Sequence, residues 1–328
     1  MFVKPISVNH VVTKITEYVG KKAALVSIAE NTEIDIDKLI FELNASGIKF
    51  MGGIFPKVIH GQSISDTGIV VNTLVDVVII SHISQISKRK LVIPSIDFNE
   101  NHQYSLITYV DGLTSNISSY LSELYEKYGM QTSYFGGGAG SLSLQQKPCV
   151  FTNDGIFQDS AVMCVMRMKM SIGVKHGWEK LKGPYIVTKA QSNTIQEINW
   201  KRPFEIYREA VESDSKKKFN DDNFFEIAKG YPFGIVRSGD EHVIRDPLTV
   251  NENGELVCVG QVEENTLVSI MKGNKDSLII AAEEAAIESM KKAINPKKAI
   301  IVDCISRILF LEEKLVISSL IFVLIVLP

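Results

Sequence analysis

The chain has 328 residues, of which 45% are hydrophobic and 22% are charged, and these are the proportions of a globular protein. This length usually means two domains, because single hydrophobic cores stop growing near about 250–300 residues. The formal net charge of −3 gives no electrostatic case for nucleic acid, and we expect no nucleic-acid partner.

The four cysteines form no Cys-x-x-Cys pair and no metal-finger spacing, so we expect no bound metal. The N-terminus lacks the continuous apolar core of a secretion signal. Both observations favour a reducing, cytoplasmic setting. The last residues, 315–328, read LVISSLIFVLIVLP. This stretch is too short to cross a membrane as a helix, and it fits a buried strand, so no membrane span is expected.

The first half contains an internal repeat, at about 23–80 and 104–168. In the first copy a strand leads to a helix that Thr32 can cap, and the inward face of this helix is formed by Ile36, Leu39, Ile40 and Leu43. A second strand runs into Gly52 and Gly53. Two further strands, at 69–71 and 74–80, are close enough in the chain to form a hairpin.

The second copy repeats this order. Its predicted helix starts at Ser115, with an inward face formed by Ile117, Leu121, Leu124 and Tyr128. The strand that follows, at 132–135, meets a glycine run, and strands near 149–152 and 161–168 complete the copy. The last pair of matching blocks is Thr67-Gly68-Ile69 with Asp154-Gly155-Ile156.

The second half has short strands over 171–199 and a helix that begins at Pro203, where proline is tolerated. The polar stretch 213–222 is the predicted linker. Further strands, a helix at 276–293 and a strand at 299–302 follow. The whole pattern predicts an α/β fold with α+β character: duplicated strand-helix-strand-hairpin units with mixed sheets and outer helices, plus a smaller C-terminal α/β domain.

The run Gly136-Gly137-Gly138-Ala139-Gly140-Ser141 is the sharpest local signal in the chain. Glycines can form a nest of backbone amides around an anion, and they can equally mark a tight strand exit packed against the other copy. Ser141 stands where the third glycine of a dinucleotide fingerprint would fall, and no Gly-Lys-Ser/Thr follows, so neither nucleotide motif is present.

Three further side chains are candidates for chemistry. His176, beside Trp178, could bind a ligand, coordinate haem iron or act as a base, or it could be structural. Arg307 could hold a carboxylate, or it could lie in an internal ion pair. Cys304 could be a nucleophile, or it could be a small buried side chain. No arrangement of residues in the sequence compels an enzyme.

Three segments of the chain, Phe135 to Met166, Lys175 to Tyr207 and Ile300 to Leu311, together resemble the FIST sensory domains. Phe135 to Met166 (FGGGAGSLSLQQKPCVFTNDGIFQDSAVMCVM) resembles the N-terminal module, and the resemblance continues over Lys175 to Tyr207 with its His-Gly-Trp, Val-Thr and Asn-x-Ile-x-Glu elements. IIVDCISRILFL, from Ile300 to Leu311, is similar to the strand, Cys-x-x-Arg step and apolar helix of the C-terminal module.

The resemblance implies an intracellular, non-catalytic sensor of a small molecule, typical of bacterial signal transduction, with an amino acid or similar metabolite as ligand. Haem binding is associated with some members of the family, so a haem-based gas sensor using His176 is the alternative function. A Cys304-dependent enzyme, which rests on the residues and not on the resemblance, is a weaker one. The implied ligand site lies near the glycine run and includes His176, Trp178, Thr188 and Arg307. No output domain is recognised in the sequence, so a separate partner such as a histidine kinase is expected to read the signal.

The same resemblance divides the chain into an N-terminal sensory domain at 16–212, a linker at 213–222 and an incomplete C-terminal domain at 223–314. The family pattern stops near Lys314, where charged residues also stop. We hypothesise that 315–328 is a truncated or out-of-frame ending, which resequencing of the locus would test.

Overall fold

The computed structural model describes residues 1–88, 90–237, 242–293 and 296–311, together with the backbone of strand 323–327. The chain divides into two compact units: 1–171 with 293–298 and 327–328, and 172–292 with 299–326. In the described residues, seven helices combine with mixed sheets, which confirms the predicted α/β class.

The described part of the first unit contains three helices, namely α1 (Val8–Val19), α2 (Ile36–Ala45) and α3 (Ile117–Tyr128). Its strands are β1 (Phe2–Val3), β2 (Ala23–Ala29), β3 (Phe50–Phe55), β4 (Val58–His60), β5 (Ser63–Ser65), β6 (Ile69–Leu74), β7 (Val77–Ser84), β8 (Tyr104–Asp111), β9 (Thr132–Ala139), β10 (Val150–Thr152), β11 (Gly155–Phe157) and β12 (Ser160–Met166).

Two sheets organise this unit. One has the order β1-β6-β2-β3-β10-β11, and the other has the order β7-β12-β8-β9, while β4 and β5 form a separate ribbon. Strands β2 and β3 are parallel, as are β8 and β9, and a helix connects each pair. Both strand-helix-strand units therefore have the same local topology. The duplication itself stays a prediction.

The predicted β6–β7 hairpin is wrong, because β6 pairs with β2 in one sheet and β7 pairs with β12 in the other. The predicted match of Thr67-Gly68-Ile69 with Asp154-Gly155-Ile156, the last pair of blocks in the repeat, is also wrong. Ile69 begins β6, whereas Gly155 begins β11, which forms a hairpin with β10. In the second copy the counterpart of β6 is β12. It pairs antiparallel with β8, just as β6 pairs antiparallel with β2.

Helix α2 buries Leu39, Ile40 and Leu43, as its apolar spacing predicts. Its cap is Asp35, whose carboxylate accepts a hydrogen bond from the backbone N–H of Lys38 at 2.9 Å. The predicted cap was Thr32, whose hydroxyl instead accepts from the backbone N–H of Gly68 at 2.8 Å.

Helix α3 is rotated relative to its predicted phase. Leu121, predicted to face inward, is 49% exposed, whereas Tyr120 is fully buried. The buried face follows residues 117, 120, 124 and 128, because the hydroxyl of Tyr120 lies 2.8 Å from that of Thr108 on the sheet and holds the ring inside.

The second unit has four helices in its described residues, namely α4 (Pro203–Ser215), α5 (Phe224–Ala228), α6 (Lys275–Lys292) and α7 (Ile305–Leu311). Its strands are β13 (Ser171–Val174), β14 (Glu179–Gln191), β15 (Thr194–Ile198), β16 (Phe233–Val236), β17 (His242–Arg245), β18 (Pro247–Val250), β19 (Leu256–Cys258), β20 (Leu267–Lys272), β21 (Lys298–Ile301) and β22 (Val323–Leu327). Seven of these form one antiparallel sheet in the order β17-β16-β20-β14-β15-β19-β18, and β13, β22 and β21 form another sheet.

The segment predicted as a linker, 213–222, lies inside the second unit. Helix α4 continues through Ser215, and the Phe219 ring packs against the rings of Phe204, Tyr207 and Phe224. Phe219 thus joins the core that a flexible linker would avoid. Most of the apolar tail, 315–322 and 328, lies outside the described residues.

Candidate functional site

The glycine run is part of a strand. β9 extends through Ala139, and Gly136, Gly137 and Gly138 pair in parallel register with Thr108, Tyr109 and Val110 of β8. The predicted strand end at 135 is therefore wrong. Of the glycines with positive φ, only Gly140 belongs to this run, at 148°. A nest of amides with positive φ is not formed by Gly136–Gly138.

A close backbone approach explains Gly136. A Cβ at this position would lie 1.9 Å from the carbonyl oxygen of Thr108 on the neighbouring strand. A Cβ at Gly52 would lie 2.3 Å from the carbonyl oxygen of Val26, which is the register partner of Gly52. Both parallel strand pairs require glycine for the same steric reason, which favours the architectural interpretation of these two residues.

The chain that follows β9 is held by the carboxyl end of β8. The Asp111 carboxylate accepts hydrogen bonds from the Gln146 amide at 2.7 Å and from the backbone N–H of Asp159 at 2.8 Å. The Ser141 hydroxyl, predicted to contact a ligand, lies 3.0 Å from the Ser143 hydroxyl. Asp111 thus ties two loops to the sheet.

His176 and Trp178 are joined by a local hydrogen bond. The backbone N–H of Trp178 donates to Nδ1 of His176 at 3.0 Å, which places the proton of the neutral ring on Nε2. A histidine that binds haem iron through Nε2 needs the opposite tautomer, with Nδ1–H donating. Burial lowers the pKa of His176, and the neighbouring His242 and Lys175 lower it further. This arrangement does not fit haem.

Trp178 and Arg307, both predicted site residues, meet at the same helix. The Trp178 ring packs with Leu278 of α6, and its centroid lies 5.6 Å from that of Phe310. Arg307 is 1% exposed; its Nη1 donates to the carbonyl of Leu278 at 2.8 Å, and its Nε donates to the Asp303 carboxylate at 3.0 Å. Both residues are core residues that position α6 and α7.

A buried carboxylate near the start of α7 was missed by sequence reasoning. Asp246 is 7% exposed, and its Oδ1 has no hydrogen-bond partner among the described residues. Burial raises the pKa of Asp246, against the opposing effects of the Ser306 hydroxyl and of Arg245. Asp246 lies 59 positions or more from the α7 residues in the chain, so no local pattern could have associated them.

Cys304, the alternative nucleophile, has part of its surface exposed, but its thiol is surrounded by protein and is poorly ionised. Desolvation raises the pKa of its thiol to about 11, and the nearby Asp246 raises it as well. A nucleophilic cysteine needs a lowered pKa, so this environment does not favour the cysteine enzyme.

Thr188 supports a strained turn that follows β15. Its hydroxyl accepts from the backbone N–H of Trp200 at 3.1 Å. Asn199 and Trp200 have φ of 50° and 58°, a left-handed conformation that is unusual for a bulky residue. Asn199 is fixed by two 2.9 Å hydrogen bonds with the backbone of Ile186. Trp200 is thereby presented to solvent, with 78% of its surface exposed.

Beside this turn lies a cavity of about 210 Å³, here called the turn cavity. Its lining residues come from β14, from the turn itself and from α4; they are Lys182, Tyr185, Asn199, Lys201, Ile206 and Glu209. Nζ of Lys182 lies 3.6 Å from the Glu209 carboxylate. Tyr185 and Ile206 also pack on the core of the second unit, so the cavity joins charged groups of both signs to an apolar floor.

The described residues contain no cluster of three or more His, Cys, Asp or Glu side chains that could hold a metal ion. Within the same ranges, no helix is long and apolar enough to cross a membrane.

The fold and its cavities define an α/β protein whose second unit has small cavities lined by charged residues. Family models match the FIST N domain at residues 7–201 and the FIST C domain at residues 203–322. The matches cover nearly all of the chain, so the chain belongs to the FIST family, whose domains are small-ligand sensing domains of signalling, and the resemblance noted in the sequence is confirmed. No significant match was found among curated proteins, and none was found among solved structures.

Proposed function

We propose that this chain is a cytoplasmic bacterial sensor that binds an amino acid, or a similar zwitterionic metabolite, in the turn cavity. It carries out no reaction on the ligand, and it passes the signal to a separate partner such as a histidine kinase. The observation that carries the proposal is the set of charges lining one small cavity: two ammonium groups, from Lys182 and Lys201, and one carboxylate, from Glu209.

A zwitterion complements these charges. Its carboxylate would bind to Lys182 and Lys201, and its ammonium would bind to Glu209. The existing pair between Lys182 and Glu209 is easily opened, because their side chains are 47% and 80% exposed and such surface pairs contribute about 0–1 kcal/mol. A bound zwitterion replaces this one weak pair with three ligand contacts, one each to Lys182, Lys201 and Glu209, while Tyr185 and Ile206 provide an apolar surface for its side chain.

The strained turn supports a binding role for this cavity. A residue held in an uncommon backbone region costs about 1–3 kcal/mol and persists only where surrounding contacts enforce it. Here Thr188 and Ile186 enforce the conformations of Asn199 and Trp200. Thr188 therefore serves the site indirectly, by positioning the residues that border the cavity.

Isothermal titration calorimetry with a panel of amino acids tests the proposal. The Glu209→Gln variant keeps the shape of the side chain and removes its charge. We expect it to weaken amino-acid binding about tenfold or more, because a hydrogen bond to a charged group contributes about 1.5–3 kcal/mol. Lys189→Ala is the matched control, since Lys189 is exposed on β14 and does not line the cavity.

Alanine and propionate, which differ in the amino group, complete the design. Binding of alanine but not of propionate supports recognition by Glu209. If no amino acid binds, the ligand class is wrong, and if binding survives unchanged in both Glu209→Gln and Lys201→Ala, the site is wrong.

A further inference from the structure

A second cavity in the same unit has a different chemistry. It measures about 270 Å³ and is here called the Phe310 cavity. Residues from the end of α4, from α5 and the chain after it, from the start of α6 and from α7 line it: Ser215, Lys217, Glu226, Ile227, Lys229, Gly230, Tyr231, Lys275 and Phe310. It shares no lining residue with the turn cavity.

The lining of the Phe310 cavity is cationic, although the chain as a whole has a net charge of −3. The Glu226 carboxylate lies 3.0 Å from Nζ of Lys229, and these two opposite charges form an ion pair. Lys217 and Lys275 form no ion pair with any residue that the structure describes. Two ammonium groups around one small cavity repel each other, and an anion between them would convert this repulsion into attraction.

The apolar wall of the cavity is closely packed. The Phe310 ring packs on the bare backbone of two glycines: a Cβ at Gly273 would lie 2.6 Å from the ring and one at Gly230 would lie 3.0 Å from it. A 2.8 Å hydrogen bond from the N–H of Gly273 to the carbonyl of Gly230 joins these two segments. Trp178 supports the ring at a centroid distance of 5.6 Å.

Tyr231 is fixed as well, because its hydroxyl donates to the Asp214 carboxylate at 2.9 Å, and its carbonyl accepts from the Tyr207 hydroxyl at 2.7 Å. The cavity thus combines a closely packed aromatic wall with cationic side chains. This is the arrangement that ligand sites use, with an apolar body for affinity and a few polar groups for orientation.

We infer that the Phe310 cavity binds a small organic anion, whose carboxylate or phosphate head lies between Lys217 and Lys275 and whose apolar body packs on Phe310. Its volume is just below the range of about 300–1,000 Å³ for ligand pockets, which limits the ligand to a small metabolite. This site is separate from the zwitterion site proposed above, and neither proposal depends on the other.

The positions of the two tryptophans in the chain allow a direct test. The exposed Trp200 is replaced in a Trp200→Phe background, which leaves Trp178, in contact with Phe310, as the single indole reporter. Phenyl phosphate and benzoate are titrated as probes, with benzyl alcohol as the neutral control and inorganic phosphate as the head group alone. We expect a saturable change in Trp178 emission with at least one anionic probe and none with benzyl alcohol.

Two lysine variants locate the binding. In the same background, Lys275→Ala and Lys217→Ala are each expected to raise the Kd for the bound probe about tenfold, whereas Lys291→Ala, an exposed position at the other end of α6, leaves it unchanged. Lys217 is exposed, so its variant tests the site without threatening the fold.

A response to phenyl phosphate alone assigns a phosphate head, a response to benzoate alone assigns a carboxylate head, and a response to both supports their shared chemistry. The inference is overturned if Trp178 emission does not change with either anion, if benzyl alcohol binds equally well, if inorganic phosphate binds as tightly as phenyl phosphate, or if both lysine variants bind like the parent. None of these results affects the calorimetric test of amino-acid binding, which depends on the Glu209→Gln variant.

Discussion

Replacing Gly136 by alanine tests whether the glycine run serves the fold. The new Cβ would lie 1.9 Å from the carbonyl oxygen of Thr108, whereas real Cβ atoms essentially never approach within 3.0 Å of another heavy atom. Strands β8 and β9 must therefore separate locally by at least about 1.1 Å, the difference between these two distances. The colliding atom is backbone, so no side-chain rotation can relieve the contact.

The expected loss of stability follows from two effects. Overpacking of this kind costs about 1–3 kcal/mol, and each stretched ladder hydrogen bond costs about 0.5–1.5 kcal/mol. With two such bonds stretched, the total is about 2–6 kcal/mol. The Tm of a domain of this size then falls by about 4–24 °C, since each kcal/mol corresponds to about 2–4 °C. Differential scanning fluorimetry of the full chain measures this change.

Gly129→Ala is the matched control. Gly129 has φ of 66° and nothing within 4 Å of its Cβ position, so alanine there introduces only backbone strain of about 1–2 kcal/mol. If Gly136→Ala lowers the Tm no more than Gly129→Ala does, the steric reasoning is wrong. A Gly136→Ala variant that keeps its Tm and loses ligand binding would instead favour the original interpretation of the run as a ligand contact.

Three further outcomes are expected. Arg307→Met leaves the buried Asp303 carboxylate unpaired and should cost about 3–5 kcal/mol in chemical denaturation, and the double variant with Asp303→Leu should recover most of this loss. In α3, Leu124→Ala should cost about 2–5 kcal/mol and Leu121→Ala less than about 0.5 kcal/mol, and equal losses would contradict the observed rotation of the helix. Burial raises the pKa of Asp246 in the folded state, so ionisation of this residue destabilises the fold as pH rises above 3.8, its ordinary value. The Asp246→Asn variant should therefore have a larger free energy of unfolding than the parent at neutral pH, and this difference should disappear in acid.

The elements were predictable because they follow from local spacing. The apolar face of α2 and the proline at the start of α4 each depend on residues within a few turns of one another, and both were predicted. The phase of α3 was not, since Leu121 and Tyr120 are both apolar enough for the core. A hydrogen bond between Tyr120 and Thr108, on a strand that precedes the helix, decides between them.

The candidate site shows the same division between what local sequence predicts and what tertiary contacts decide. His176, Trp178, Thr188 and Arg307 were recognised as unusual from the sequence, yet the structure gives each a supporting position. Lys182, Lys201 and Glu209 carry no local signal at all, because isolated lysines and glutamates are ordinary surface residues. They acquire a joint chemistry only where β14, the turn after β15 and α4 bring them around one cavity.

By itself, the sequence determined the α/β class, the order of most elements and membership of the FIST family, because periodicity and ordered motifs are properties of the chain read locally. The tertiary structure alone decided that Gly136 and Gly52 lie in strands, that β6 and β7 belong to different sheets, and which charges share a cavity. The physical reason is that strand pairing, backbone collision and electrostatic pairing depend on distances in space. Lys182 and Glu209, for example, are 27 positions apart along the chain and lie 3.6 Å from one another.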